Sequence, residues 1–231
     1  MLVSMVVPAR NCADVLAANV RKIDEELGKT CKHEIIIAED GSSDSTGEVA
    51  SKLARTASNV RCITSERRKG KGGALKDAFM LARGDVLAFI DADLSPDVSC
   101  FPKLLGELDN GTDVAIGSRK VKGAESDRNY VRDVFSFAYN SMVRVMFGTG
   151  IRDIQCGFKA FRRDALPAAL AAESDGFIWD TEFIVLARKK RLRIKEVPIR
   201  WRESKSKTQM KLARDTIRMF VSLLELKMRL I

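Results

Sequence analysis

The sequence is short of several things, and each shortage removes a class of function. It has one histidine, His33, and its five cysteines (Cys12, Cys31, Cys62, Cys100, Cys156) are scattered with no CxxC pair. That excludes a zinc constellation and leaves reduced, separate thiols as the simplest expectation. Aromatic residues make up only 6% of the chain. With no recognised RNA-binding pattern, this argues against a stacking platform for single-stranded nucleic acid. No apolar run approaches the roughly 20 residues of a membrane-spanning helix. The opening MLVSMVVPAR has neither a basic n-region nor a small-residue cleavage site, so no signal peptide is expected. No GxGxxG follows the first strand pattern, which excludes a dinucleotide fold. Internal repeats, low-complexity linkers and a clear domain break are also missing.

What is present is positive charge. Forty Lys and Arg face 31 Asp and Glu, a formal net charge of +9. Basic proteins favour nucleic acid, anionic membrane surfaces or phosphorylated ligands, and the placement of the charge has to decide among them. The 231 residues are enough to bury a sizeable core as one large domain or two tightly joined units.

Short β-branched runs alternate with helical patterns through the first half. Strands are predicted over 2–8, 33–40, 59–64, 85–90 and 112–119, and helices over 14–27, 44–55, 72–83 and 97–108. Ser42 or Ser43 is available to cap the helix at 44. This order implies an α/β fold with a mainly parallel sheet and helices on both faces. After Gly123 the pattern changes to a helix over 130–147, a strand over 156–162, a helix over 179–190, a strand over 193–201 and a long closing helix over 209–231.

Ligands in parallel sheets bind at the carboxyl ends of strands, and Asp40, Asp91 and Arg119 fall there. VLAFIDADLSPD ends a buried strand in Asp91 and Asp93. Alternate residues share a face of a strand, so these carboxylates can aim at one point. They repel unless protons or a cation intervene. A hard divalent ion takes one or two carboxylates and completes its shell with substrate phosphates. EDGSSDST places Glu39 and Asp40 at another strand end, where an acid can accept from base N–H or ribose hydroxyl groups. RRKGKGGA enters a helix as a cationic, glycine-rich loop whose N–H groups can approach phosphate. Two helices carry broad apolar stripes beside cations, as interfacial helices do. One has Phe135, Ala138, Met142 and Met146. The other has Ile217, Phe220, Val221, Leu224, Met228 and Ile231, widened by Met219, Leu223, Leu226 and Leu230.

VVPARN, EDGSSDST, RKGKGGA, DADLSPD, GSRK, RDIQCGFKAF, WDTEF and VPIRWRESKSK occur in that order. Together they resemble the family 2 glycosyltransferases of GT-A fold. More narrowly, the chain is similar to the dolichyl-phosphate hexosyltransferases, with GKGGA, IRDIQCGFKAF and WDTE leaning toward the glucosyl branch. The resemblance implies one catalytic domain over 1–231, with a nucleotide-binding half (1–122), an acceptor half (123–208) and an amphipathic helix (209–231). It implies nucleotide-sugar contacts at Pro8, Ala9, Glu39, Asp40, Lys71, Gly72, Asp91 and Gln155. Asp91 and Asp93 would hold Mg2+ or Mn2+. Arg119, Arg132, Ser204, Lys205 and Lys207 would meet the acceptor phosphate, and Lys159 would border the acceptor and sugar site. The catalytic set would be Asp93, Arg119, Arg132, Asp153 and Lys205.

The implied reaction moves glucose from UDP-glucose, or mannose from GDP-mannose, to dolichyl or another polyprenyl phosphate, with inversion. It would take place with the protein peripheral on the cytoplasmic face of a membrane, without nucleic acid. A homodimer or a separate membrane anchor stays open. So does a glycan or protein hydroxyl as acceptor, for which Asp153, Asp180 or Glu182 would be the base, and, further off, a non-enzymatic basic module that binds lipid or nucleic acid. Arg10 and Cys12 stand where Tyr and Glu are usual in the family, and Glu39 where Asp is commoner. Ser95 stands where the mannosyl branch often has Gln. Base preference and metal coordination are therefore open.

Overall fold

The computed structural model describes residues 1–127, 129–203 and 212–230, and of 212–218 the backbone alone. Nine strands and eight α-helices are described. They run β1 (Leu2–Ala9), α1 (Ala13–Gly28), β2 (Lys32–Asp40), α2 (Thr46–Thr56), β3 (Val60–Ser65), α3 (Lys71–Leu81), β4 (Val86–Ile90), α4 (Phe101–Asp109), β5 (Val114–Ser118), β6 (Glu125–Asp127), α5 (Tyr130–Phe147), β7 (Phe158–Arg162), α6 (Leu166–Leu170), α7 (Trp179–Lys189), β8 (Ile194–Pro198), β9 (Arg200–Arg202) and α8 (Leu212–Leu230).

The main sheet has seven strands in the order β3-β2-β1-β4-β7-β5-β8, and β6 and β9 form a separate pair. All neighbours in the main sheet are parallel except β7, which runs antiparallel between β4 and β5. The central strands β4 and β5 are buried at every residue. A sheet covered on both faces selects such unbroken apolar runs rather than alternation. Helices supply the cover. In α1, Leu16, Val20, Ile23 and Leu27 are buried at helical spacing, and in α4 Phe101, Leu104, Leu105 and Leu108 are. Each such side chain contributes about 1.5–3 kcal/mol.

The scarce aromatics are concentrated. Phe79 of α3, Phe89 of β4, Phe161 of β7 and Trp179 and Phe183 of α7 form one cluster with ring centroids 5.1 to 6.4 Å apart. It locks α3 and α7 to the sheet directly beneath the strand ends. All five cysteines are free.

Several elements depart from expectation for identifiable reasons. Helix α2 starts at Thr46 rather than 44, because the Ser42 and Ser43 hydroxyls have another partner in Asn11. Ser42 Oγ accepts the Asn11 N–H (3.1 Å), and Ser43 Oγ donates to Asn11 Oδ1 (3.4 Å). Asp44 takes their place and accepts from the Thr46 N–H at 3.0 Å. The strand expected over 193–201 is two strands: β8 pairs with β5, and the chain then leaves to pair with β6. The break falls after Pro198, which has no N–H to donate. The short elements β6 and α6 were not anticipated.

The stripe read on α5 is outward in part: Phe135 and Ala138 are exposed, while Met142 and Met146 are partly buried against the core. Tyr130, Val131, Val134, Phe137 and Val145 are exposed as well, and Ser136, Tyr139, Asn140 and Val143 are buried. Asn140 accounts for the polar inner face: its Oδ1 accepts the Ile154 N–H (2.9 Å) and its Nδ2 donates to the Ser136 carbonyl (2.7 Å). The stripe of α8 divides. Leu223 and Leu226 are buried, while Val221, Leu224 and Met228 face out.

Gly106 lies inside α4, and nothing stands within 4 Å of the place a Cβ would occupy. Gly106→Ala therefore gains helix propensity without a clash. It is expected to raise stability by about 0.5–1 kcal/mol, read as a higher urea midpoint at unchanged slope.

Candidate functional site

Four parallel strands deliver the predicted residues to one edge of the sheet. Pro8 and Ala9 end β1, Glu39 and Asp40 end β2, Asp91 follows β4 and Arg119 follows β5. Antiparallel β7 begins at the same edge, where the Asp91 N–H donates to the Gly157 carbonyl at 3.0 Å. A Cβ at position 157 would overlap the Asp91 carboxylate. Gly157 is the hole into which that acid fits.

Asp91 does not stand free. Its Oδ1 lies 2.9 Å from the Lys71 ammonium, which also reaches Asp180 Oδ2 at 3.3 Å. Asp180 in turn pairs closely with Lys159, whose ammonium donates to the Cys156 carbonyl at 2.8 Å. Both ammonium groups sit over the Phe89 ring, 5.1 and 5.2 Å from its centroid. The result is an alternating chain of charge, Asp91–Lys71–Asp180–Lys159, running from the cleft into the core. Burial alone would lower the pKa of Lys71, but Asp180 and Asp91 outweigh it and the shift is upward. Asp91 is shifted upward by burial, with Asp93 and Asp180 adding and Lys71 opposing.

Asp93 accepts from the Ser95 backbone (3.0 Å) and from its hydroxyl (2.9 Å). The next residues pair with β9, through a Pro96–Trp201 bridge and a 2.9 Å bond from the Arg202 N–H to the Ser95 carbonyl. Trp201 carries the Arg119 guanidinium on its ring, 5.4 Å from the centroid. Among the described residues no three acids, histidines or cysteines group to hold a metal. Asp91 and Asp93 nevertheless fit a divalent ion. Both carry hard oxygen donors two residues apart in sequence, and Asp91 is partly exposed. The ion would take two carboxylates from these residues and the rest of its shell from ligand and water.

Arg119 and Asp153 form a bidentate pair of 2.7 and 2.6 Å, and Asp153 also accepts the Arg119 N–H at 2.8 Å. Asp153 is fully buried. Burial would raise its pKa, but the charge and hydrogen bonds of Arg119 reverse the shift and hold it below the usual carboxylate value. Glu196 fixes the turn by accepting the Arg152 and Asp153 N–H groups, both at 2.9 Å. Arg132 pairs with Glu203 at 2.6 Å, tying α5 to the end of β9. Gln155 faces α8, with Nε2 3.9 Å from the Met219 sulfur. Ser204, Lys205 and Lys207 lie outside the described residues.

One expectation needs correction. The glycine-rich segment does not present open N–H groups. Those of Lys69 and Gly70 donate to Asp40 (2.6 and 2.9 Å), and those of Gly72 and Gly73 to the Asp175 carbonyl (2.7 and 3.3 Å). Gly72 is a packing position, since a Cβ there would come 2.5 Å from Trp179 Cβ. Lys159 is wholly buried, and its ammonium is turned to Asp180. Asp40 braces the 69–70 turn through its two bonds to Lys69 and Gly70, a role its place at a strand end did not show. Motifs marked WDTE and QCGFK as notable, but no local pattern linked Asp180 or Gly157 to Lys71 and Asp91.

The Arg119–Asp153 pair has a measurable sign. A carboxylate with a depressed folded-state pKa contributes its full stability above the unfolded value, and loses it as pH falls through the folded one. Asp153→Asn strands a buried cation, which costs about 3–5 kcal/mol. In urea melts the variant should be less stable at neutral pH, and its deficit should shrink as the wild-type acid is protonated.

Comparison with known proteins identifies the family. The family description Glycosyl transferase family 2 matches residues 4–169. The chain is 40% identical over 222 residues to glycosyltransferase AglD of Haloferax volcanii, covering 94% of this chain but 35% of that protein. It is 31% identical over 252 residues to the dolichyl-phosphate beta-glucosyltransferase of Saccharomyces cerevisiae, covering 99% and 75%. The chain thus spans about a third of the first relative and three quarters of the second. Glucosyl-3-phosphoglycerate synthase of Mycobacterium tuberculosis, solved with Mn2+, UDP and glucosyl-3-phosphoglycerate, superposes with a TM-score of 0.74 at 21% identity, over 97% of this chain and 79% of that one. That likeness is one of fold, the GT-A fold. With the family matched over most of its length and its acids and cations gathered at one sheet edge, the chain belongs to glycosyl transferase family 2.

Proposed function

We propose that the chain transfers glucose from UDP-glucose to dolichyl or a related polyprenyl phosphate at a membrane surface, inverting the anomeric carbon. One observation carries the choice of acceptor: every carboxylate considered as a base is already committed. Asp153 holds Arg119, Asp180 lies between Lys71 and Lys159, and Glu182 takes the Ser174 N–H (2.8 Å) and Arg229 (2.6 Å). None is more than 2% exposed. A hydroxyl acceptor needs a base within hydrogen-bond reach of its proton. A phosphate monoester, with a second pKa of about 6, is already largely dianionic at neutral pH and needs none.

Such an acceptor needs positive charge to approach a donor diphosphate. Arg119 and Arg132 supply it in this reading, each now held by a carboxylate. Ser204, Lys205 and Lys207, which follow the Arg132 partner Glu203 in sequence, complete the acceptor-phosphate set. Pro8, Ala9, Glu39 and Asp40 shape the nucleotide end, and Lys71 lies beside the diphosphate with its position set by Asp180. Mg2+ or Mn2+ at Asp91 and Asp93 would supply further charge against the leaving diphosphate. Residues 1–122 act as the nucleotide half and 123–208 as the acceptor half.

Glucose and a polyprenyl phosphate are favoured by the yeast relative, named a dolichyl-phosphate beta-glucosyltransferase. The UDP donor is favoured by the mycobacterial fold relative, solved with UDP-glucose and Mn2+. Among the described residues no helix is long and apolar enough to cross a membrane. Contact with lipid falls to the outward stripes of α5 and α8, with the protein peripheral on the cytoplasmic face.

The test uses purified chain with radiolabelled UDP-glucose or GDP-mannose, offered dolichyl phosphate or a free oligosaccharide. Glucose should pass to dolichyl phosphate. The acid limb of kcat/KM should fall near pH 6, about the second ionisation of the acceptor, and should move when a phosphonate of different pKa replaces the phosphate. Transfer to the oligosaccharide alone, or an acid limb indifferent to the acceptor, would overturn the assignment.

A further inference from the structure

We propose that the cavity walled by Lys120, Phe137, Arg144 and Arg152 binds the headgroup phosphate of an anionic phospholipid, at a site separate from the one that transfers sugar. The cavity measures about 360 Å3. Its separateness follows from two pairs of adjacent residues. Arg119 and Asp153 turn inward and clasp one another. Their chain neighbours Lys120 and Arg152 line the cavity, whereas Arg119 and Asp153 do not. The same two backbone segments thus border both the reaction cleft and a cationic basin.

The basin holds more positive charge than the protein compensates. Lys120 pairs with Asp133 at 2.8 Å. Arg144 donates to the neutral Ser141 hydroxyl at 2.8 Å, and among the described residues neither Arg144 nor Arg152 forms an ion pair. The ligand chemistry that suits two guanidinium groups is a phosphate oxygen cluster. The apolar wall selects its source. Phe137 is 64% exposed and lies on the outward stripe of α5 with Tyr130, Val134 and Val145. A lipid headgroup phosphate meets water just above its acyl chains, so one molecule satisfies both the cations and the exposed ring. A soluble anion would leave that stripe in water.

This inference rests on the membrane-docking part of the proposed function, and the test separates the two. The full chain is sedimented with phosphatidylcholine vesicles and with vesicles that also contain phosphatidylglycerol. Wild type should bind both, and the anionic vesicles more tightly. The double substitution Arg144→Gln/Arg152→Gln should weaken anionic binding about thirtyfold, as expected for two surface cations. It should leave binding to phosphatidylcholine and thermal stabilisation by UDP unchanged. Arg21→Gln/Arg55→Gln removes equal charge from exposed positions on α1 and α2, and should keep the anionic preference. An equal loss in both double variants would reduce the effect to net charge and overturn the site. A preference that survives in Arg144→Gln/Arg152→Gln would overturn it as well. Thermal stabilisation by inorganic phosphate alone, lost in that variant, would reassign the cavity to a soluble anion and overturn the lipid ligand. Wild type that sediments with neither vesicle would defeat the docking reading itself, and this inference with it.

Discussion

The chain of alternating charge from Asp91 through Lys71 and Asp180 to Lys159 is the constraint on which the rest of the site depends. Each member comes from a different element: the end of β4, the first turn of α3, the first turn of α7 and the interior of β7. Burying any one of these charges alone would cost several kcal/mol, and only the sequence of opposite partners makes the group tolerable. The arrangement is therefore specific. All four elements must arrive in register before the whole chain is compensated, and both ammonium groups rest over the Phe89 ring. The aromatic cluster below supplies the rigidity, and the ion chain supplies the aim.

A second theme is that the cations of the cleft come already neutralised. Lys71 has Asp91, Arg119 has Asp153 and Arg132 has Glu203. A diphosphate or phosphate entering such a place would compete with a carboxylate rather than meet bare charge. That competition would hold down the affinity for stray anions, because the cations would lose a charge-assisted bond before gaining one. For a protein with a net charge of +9, this separates the cleft from the rest of a basic surface.

The sheet was legible in the sequence because local periodicity reports it. Runs buried on both faces read as strands, and the acids that ended them read as a ligand edge. The alternation of strand and helix gave a mainly parallel order, and the antiparallel β7 was seen as a strand without its direction. What escaped was everything set by contacts between distant residues. Asp180 was read as a candidate base because nothing near it in sequence showed the two lysines that hold it. The glycines of RKGKGGA suggested an open phosphate cradle, yet their N–H groups are taken by Asp40 and Asp175. Helix α5 was legible only in part. Its apolar stripe was read as an outward face, and Phe135 and Ala138 are exposed, but the polar inner face of Ser136 and Asn140 is set by contacts with distant residues.

Gly157 has a bearing on ancestry. The space a side chain would fill at that position is filled by the carboxylate of Asp91, projecting from the adjacent strand. The two positions share one volume, and only one of them can spend it. A lineage that acquired even a methyl group at 157 would have to turn the acid at 91 out of its present place or give it up, and Lys71 would lose its anchor there. Each position thus constrains the other, although 65 intervening residues separate them in the gene.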